Sequence, residues 1–245
     1  MFNQLLKIQN RAFQPLFGSI KKWRSFVFLL LVVICLRSLV FEFFFVPTGS
    51  MRPTINPGDF ILATKYDYGY STYSAWPFRL PEKTFKSRLL AKTPARGDIV
   101  VVRRKNEPRL IKRLVGLPGD KIQFINGKML VNNVMIKKEF LHCVASRSRT
   151  IESLYRETLD SNSYSIYEEE VRPKEHLNSR AYFVPPKCYF LLGDNRDNSA
   201  DSRASLGCVS EKFLIAKAKF VIISTNNSFN PKNWNFKRFF TNLYQ

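Results

Sequence analysis

Lys121-Ile122-Gln123-Phe124-Ile125-Asn126-Gly127 alternates apolar and polar residues and ends in the dipeptide that most strongly marks a tight hairpin turn. Met129-Leu130-Val131 then returns, so the stretch predicts two antiparallel strands. The same rhythm of short apolar runs and tight turns recurs on both sides. Upstream lie Phe60-Ile61-Leu62-Ala63-Thr64 and, after the turn Pro94-Ala95-Arg96-Gly97-Asp98, Ile99-Val100-Val101-Val102. Leu110-Ile111-Lys112-Arg113-Leu114-Val115-Gly116 follows and closes in Leu117-Pro118-Gly119-Asp120. Downstream lie Ala181-Tyr182-Phe183-Val184, Cys188-Tyr189-Phe190-Leu191-Leu192 and a long run from Phe213 to Ile223. β-Branched and aromatic residues suit a pleated, half-buried surface. Many such strands joined by Gly and Pro turns indicate a mainly β fold of antiparallel sheet. Residues 139–180 are rich in serine and charge and weakly patterned, which predicts an inserted polar subdomain or long surface excursion. The Asn/Phe-rich tail from Thr225 carries no readable chemistry, and the aromatic, basic stretch from Tyr66 to Leu90, with Trp76, reads as a surface or membrane-facing loop.

Ahead of these strands the chain is basic and then greasy. Met1 to Arg24 carries Lys7, Arg11, Lys21, Lys22 and Arg24 and no acid, and Phe26 to Leu36 is apolar throughout. A membrane helix needs about 20 residues at 1.5 Å rise, which predicts a transmembrane anchor over 23–41. Arg37 then falls in the last turns, where its side chain reaches the interface; at the bilayer centre it would cost about 3 kcal/mol. Basic residues before the span put 1–22 in the cytoplasm and everything after Glu42 outside it. A cleaved secretory signal competes with this reading, because Thr48-Gly49-Ser50 offers small residues. The predicted division is therefore a basic N-terminus (1–22), an anchor (23–41), a β domain in two parts (42–138 and 181–245) and the insert (139–180).

With 245 residues the chain forms one elaborated domain with a real core, and 45% hydrophobic and 14% aromatic content exclude disorder. A net charge of +20 admits nucleic acid or an anionic membrane surface as partner. No zinc pattern, helix-turn-helix or aromatic RNA-binding motif is readable, so no specific nucleic acid is expected and the membrane is the favoured partner. Cys35, Cys143, Cys188 and Cys208 are widely spaced. A disulfide between two of the last three is open, the spacing does not identify it, and unpaired thiols are the default. His142 and His176 stand in no ligand-like cluster, so neither metal nor cofactor is expected.

Candidate chemistry begins at Phe43-Phe44-Phe45-Val46-Pro47-Thr48-Gly49-Ser50-Met51, where the apolar run hands over to the domain. Pro47 favours an extended edge and Gly49 a turn, offering Ser50 at a strand tip. A Gly-Ser turn by itself needs no function, and a serine nucleophile needs a base. His142 and His176 lie in the insert, which leaves lysine. Strand alternation sends Leu110, Lys112 and Leu114 to one face. Apolar neighbours lower an amine from its usual pKa near 10.4 and make it a base; an edge-strand lysine guarding against aggregation is the plainer alternative. The third piece is Gly193 to Arg203, with three Asp, two Asn, two Arg and two Ser between apolar strands. Asp201 is placed to pair with Arg203, and Ser199 to hydrogen-bond a neutral amine. A simple turn has no need of so many charged partners.

Four segments then stand in order: Pro47-Thr48-Gly49-Ser50-Met51-x-Pro53-Thr54, Arg96-Gly97-Asp98-Ile99-Val100, Ile111-Lys112-Arg113-Leu114-Val115-Gly116-Leu117-Pro118-Gly119-Asp120 and Gly193-Asp194-Asn195-Arg196-Asp197-Asn198-Ser199-x-Asp201-Ser202-Arg203. They resemble the successive boxes of bacterial type I signal peptidases, from roughly Arg37 to Ile223, with the insert and the tail unmatched. The resemblance implies a membrane-bound serine endopeptidase that removes signal peptides from exported preproteins after small residues, at sites of Ala-x-Ala type. It implies Ser50 as nucleophile, Lys112 as general base, and Thr48 with the Ser50 amide at the oxyanion. Many relatives carry serine where this chain has Thr48, which keeps the hydroxyl but limits its rotamers. Ser199 would orient the amine; Arg113, Asp194, Arg196, Asp201 and Arg203 would be structural supports. Phe44, Val46, Met51 and Ile111 would line shallow apolar pockets. The implied partners are signal peptides and the lipid bilayer, with no cofactor. The implied location is the bacterial cytoplasmic (inner) membrane, crossed once, with the β domain on the periplasmic face and its apolar edge in the membrane. A specialised peptidase for one substrate, such as a conjugation pilin, and a membrane-anchored module that captures exported peptides without cutting them are the competing readings.

Overall fold

The computed structural model of the protein describes residues 23–74, 84, 87–103, 108–145, 151–170, 177–228 and 230–244. The basic N-terminus 1–22, Trp76 and His176 lie outside them. Its strands are β1 (Phe41–Phe45), β2 (Asp59–Thr64), β3 (Ile99–Arg103), β4 (Arg109–Gly116), β5 (Lys121–Ile125), β6 (Lys128–Val131), β7 (Val134–Met135), β8 (Lys137–Ala145), β9 (Ile151–Leu159), β10 (Asn162–Glu169), β11 (Tyr182–Phe183), β12 (Cys188–Leu192), β13 (Val209–Ser210), β14 (Leu214–Ser224) and β15 (Thr241–Asn242). The fold is mainly β, as the alternation predicts. β5 and β6 form the expected hairpin, with Asn126 and Gly127 both at positive φ.

The main sheet runs β1-β2-β14-β3-β4-β12-β13, with β15 also on β14; two smaller sheets run β11-β5-β6-β7 and β10-β9-β8. β3 is buried on both faces, Ile99 and Val101 toward one core cluster and Val100 and Val102 toward another, which explains its unbroken β-branched run. β14 carries three register shifts, between Leu214 and Ala216, Ala218 and Phe220, and Val221 and Ile223. Each bulge adds a residue and sharpens the local twist, so this long strand curls the sheet. β1 and the start of β4 are three strands apart in the order, yet they meet. Arg109 pairs with Glu42 at 2.9 Å and lies 5.0 Å from the Phe44 ring. Along its sheet edge β12 pairs only with Arg113 to Gly116 of β4. The side of Arg109 to Lys112 that faces away from β3 is therefore left uncovered by β12, near β1.

Two expectations are corrected and an open alternative is decided. Residues 23–39 are helical, but Phe41 already opens β1, and among the described residues no helix is long and apolar enough to cross a membrane. The predicted span 23–41 is cut short because the domain takes the helix's last carbonyls: Lys65 Nζ donates to Arg37 O at 3.0 Å and Tyr70 Oη to Leu39 O at 2.7 Å. Most described residues of the 139–180 region lie in a three-stranded sheet of their own that packs on the core, an inserted subdomain and not a surface excursion. Leu159, Tyr164 and Ile166 pack with Val115, Phe190 and Leu192. Its alternation escapes a hydropathy reading because inward positions hold Glu152, Glu157 and Glu168, all buried against cations. Finally, Cys188 and Cys208 form a disulfide, with Cys35 and Cys143 free. The pairing follows from β12 lying against β13, where Cys188 faces Ser210. The tail also has a structural role. Arg238 pairs with Asp59 at 2.7 Å, Leu243 is buried, and Tyr244 Oη accepts a bond from Ile99 N at 2.8 Å.

Candidate active site

Beyond β1 the chain stays tied to β2 through Val46, which donates to Asp59 O at 2.9 Å and accepts from Gly58 N at 2.8 Å. Gly49 to Ile55 then turns tightly, with Arg52 N bonded to Gly49 O and Ile55 N to Met51 O. Met51 and Ile55 are sunk in the core and peg the turn, leaving Ser50 half-buried and Thr48 exposed. Phe44, Val46 and Met51 share one apolar cluster, and Ile111 of β4 packs on it.

Lys112 is buried on β4 and its Nζ donates to Ser199 Oγ at 2.8 Å. Burial lowers its pKa to about 8, with Arg203 adding to the shift and Asp201 and Asp194 opposing it. The amine therefore loses its proton within a unit or so of neutrality, as a general base requires.

The polar segment after β12 is held by paired charges. Arg113 binds Asp194 through Nε and Nη2 at 2.7 and 2.6 Å, and Thr54 Oγ1 donates to the same carboxylate at 2.5 Å. The Arg113 guanidinium also stacks 3.9 Å from the Tyr164 ring centre. Arg203 grips Asp201 at 3.0 and 2.9 Å and donates to the Arg196 carbonyl; Asp201 also accepts from Gly193 N at 3.1 Å. Burial works against the Asp201 carboxylate, yet Arg203 and these amides hold its pKa below the usual range. Arg196 forms a two-pronged pair with Glu157, one bond at 2.9 Å. All of these groups are nearly or wholly buried except Thr54 and Arg203, which are half-buried. Charge-assisted, bidentate bonds of this kind fix geometry as well as adding energy.

Gly193 is where the pieces meet. A Cβ built there would stand 2.2 Å from Ser199 Oγ and 2.5 Å from the Ser50 carbonyl oxygen. The absence of a side chain lets the Ser50 turn and Ser199 converge on the one side of Gly193 where a Cβ would stand, with the Lys112 amine one hydrogen bond beyond. The structure thus gathers Ser50, Lys112, Ser199, Asp194, Arg113, Asp201 and Arg203 around one point, with Arg196 tying the segment to β9.

Sequence reasoning missed four contributors. Asn195, almost fully buried, donates from its backbone to Ser50 O at 3.1 Å and from Nδ2 to Gly49 O at 3.2 Å, clamping the Ser50 turn. It stands inside the Gly193–Arg203 segment, which was its only signal. Glu157 and Glu152 come from the region read as a weakly patterned insert; Glu152 binds Arg52 at 3.1 Å. Arg109 precedes the Leu110–Gly116 run, and nothing local in the sequence signals its pairing with Glu42. Among the described residues, no three His, Cys, Asp or Glu side chains group to hold a metal ion.

The family described as "Signal peptidase, peptidase S26" matches residues 19–223. A "Signal peptidase I" of Rickettsia felis (strain ATCC VR-1525 / URRWXCal2) is 41% identical over 214 residues, covering 84% of this chain and 80% of that protein. Another "Signal peptidase I", from Rickettsia bellii (strain OSU 85-389), is 38% identical over 249 residues, covering 91% and 86%. A crystal structure of a signal peptidase I from Enterococcus faecalis V583 is 26% identical with a TM-score of 0.30, covering 51% of this chain and 97% of that one. Matched over most of its length, the chain is a peptidase belonging to the signal peptidase family, peptidase S26.

Proposed function

We propose that the protein is a membrane-bound serine endopeptidase that removes signal peptides from exported preproteins, using Ser50 as nucleophile and Lys112 as general base. The observation that carries this is the buried Lys112 amine bonded to Ser199, which shares Gly193 with the Ser50 turn. A substrate segment enters the cleft between β1 and β4 as an added strand, bonded to the Phe43–Thr48 and Arg109–Lys112 edges. Its small side chains sit against Phe44, Val46, Met51 and Ile111, which share one apolar cluster. Lys112 takes the Ser50 proton as Oγ attacks the carbonyl carbon, and the Thr48 hydroxyl and Ser50 amide stabilise the oxyanion. Donors of this type are typically worth about 3–4 kcal/mol each. The same amine then activates the water that hydrolyses the acyl-enzyme.

Membrane attachment is supported by apolar side chains that water disfavours. Trp23, Phe26, Phe28 and Leu29 are more than half exposed on the helix, and Phe43 and Phe45 are exposed on the outer face of β1. Basic residues before the helix favour a cytoplasmic N-terminus, and the Cys188–Cys208 disulfide favours an oxidising compartment for the β domain, on the outer face of the cytoplasmic membrane.

The test is to incubate the detergent-solubilised protein, Ser50→Ala and Lys112→Ala with a preprotein. Mature product is expected from the unsubstituted protein alone; cleavage by Lys112→Ala would overturn the base assignment, and cleavage by Ser50→Ala the nucleophile.

A further inference from the structure

We propose that Arg109 is a charge-selecting residue of the cleft, disfavouring basic and accepting acidic substrate side chains at the fourth and fifth residues before the cleaved bond. The inference rests on reading the space between β1 and β4 as the substrate channel.

Three observations place a positive charge at that depth. Arg109 opens β4 on the same face as Ile111, two residues on. Its guanidinium lies 5.0 Å from the ring centre of Phe44 on the opposite strand, so it reaches over the apolar wall that Phe44 and Ile111 share. It also spans the cleft to Glu42 at 2.9 Å. Glu42 does not cancel it, because the other carboxylate oxygen is bound by Lys65 Nζ at 3.0 Å. Glu42 and Lys65 are completely buried, whereas about a third of the Arg109 side chain stays open to solvent (33%). The trio thus holds two cations and one anion, and Arg109 is the member facing the channel.

Strand geometry converts this placement into substrate positions. Lys112 marks the reacting carbonyl, which belongs to the residue just before the cut. Arg109 is three residues back along β4, about 10 Å at 3.3 Å per residue. A substrate strand lying alongside brings its fourth and fifth residues level with the guanidinium. A lysine there meets a like charge whose counter-charge among the described residues, Glu42, is already shared with Lys65, while a glutamate meets a partner.

The test uses the detergent-solubilised full chain and peptides carrying small residues at the first and third positions, with Ala, Lys or Glu at the fourth and fifth. The Glu peptide should exceed the Lys peptide in kcat/KM by about fivefold, the scale of a partly exposed charge interaction. The difference should lie mainly in KM and shrink in high salt. Arg109→Lys keeps the preference, Arg109→Ala and Arg109→Gln abolish it, and Arg109→Glu reverses it; the Gln variant, which can still pack over Phe44, covers the case in which the Ala variant unfolds. An unchanged preference in folded Arg109→Gln and Arg109→Glu would overturn the proposal while leaving the peptidase reading intact. Cleavage of the Ala peptide by Ser50→Ala would instead overturn the site reading, and the charge selection with it.

Discussion

Lys112 shows how one side chain's chemistry is set by its surroundings. Burial has brought its pKa to about 8, so the fraction of free amine rises about tenfold per pH unit below that value. We expect kcat/KM to climb from pH 6 and level off above about 8; a profile flat through this range would exclude Lys112 as the base. Stability follows the same group. Between about 8 and the ordinary 10.5 the unfolded chain binds a proton that the folded protein does not, so this group makes stability rise with pH across that window. Below about 8 both states hold the proton and the burial penalty is fully felt. Ser199→Ala removes a bond that aims the amine, and should lower kcat about tenfold with KM little changed, the loss expected for one net hydrogen bond. Gly193→Ala should be more damaging, since its methyl overlaps both Ser199 and the Ser50 carbonyl. A folded Gly193→Ala protein with ordinary steady-state rates would contradict the packing described.

Among the elements, β9 and β10 show how a charged segment becomes part of a core. Glu157 on β9 is completely buried between Arg196 and the Tyr164 hydroxyl. Burial alone would raise its pKa, but Arg196 outweighs that and holds it below the usual value. Removing one member of a buried pair strands the other, so Glu157→Ala should cost about 3–5 kcal/mol in urea or thermal unfolding. Activity should fall with it, because Arg196 anchors the segment carrying Ser199 and Asn195. The three bulges of β14 act at the same scale: they curl the sheet whose distant strands β1 and β4 meet through Glu42 and Arg109.

Taken whole, the molecule ties its Gly193–Arg203 segment with a covalent bond. The Cys188–Cys208 bridge encloses the Gly193–Arg203 segment in a loop with a sequence separation of 20. Cross-linking a loop of this size removes unfolded-state entropy worth about 3 kcal/mol. Cys208→Ser, or reductant on the parent protein, should therefore lower Tm by several degrees, while reductant should leave Cys208→Ser unchanged. An equal response from both proteins would show that the bridge does not form.

Much of this protein was legible before folding. Strands came from period-two alternation and β-branched runs, and the hairpin from Asn126-Gly127, because those preferences are local. Ser50, Lys112 and Ser199 each have a plain structural alternative alone, and stood out because the segments carrying them stand together in the order of a known family's boxes. What the tertiary structure alone decided involves partners far apart in the chain: Glu157 with Arg196, Asn195 with the Ser50 turn, Cys188 with Cys208, and Glu42 with both Arg109 and Lys65. A buried carboxylate looks polar in sequence and becomes core only when its cation arrives from another strand. The end of the helix was likewise set by Lys65 and Tyr70 claiming its carbonyls. Local backbone preference is written residue by residue, whereas charge neutralisation and strand curvature exist only once distant segments touch.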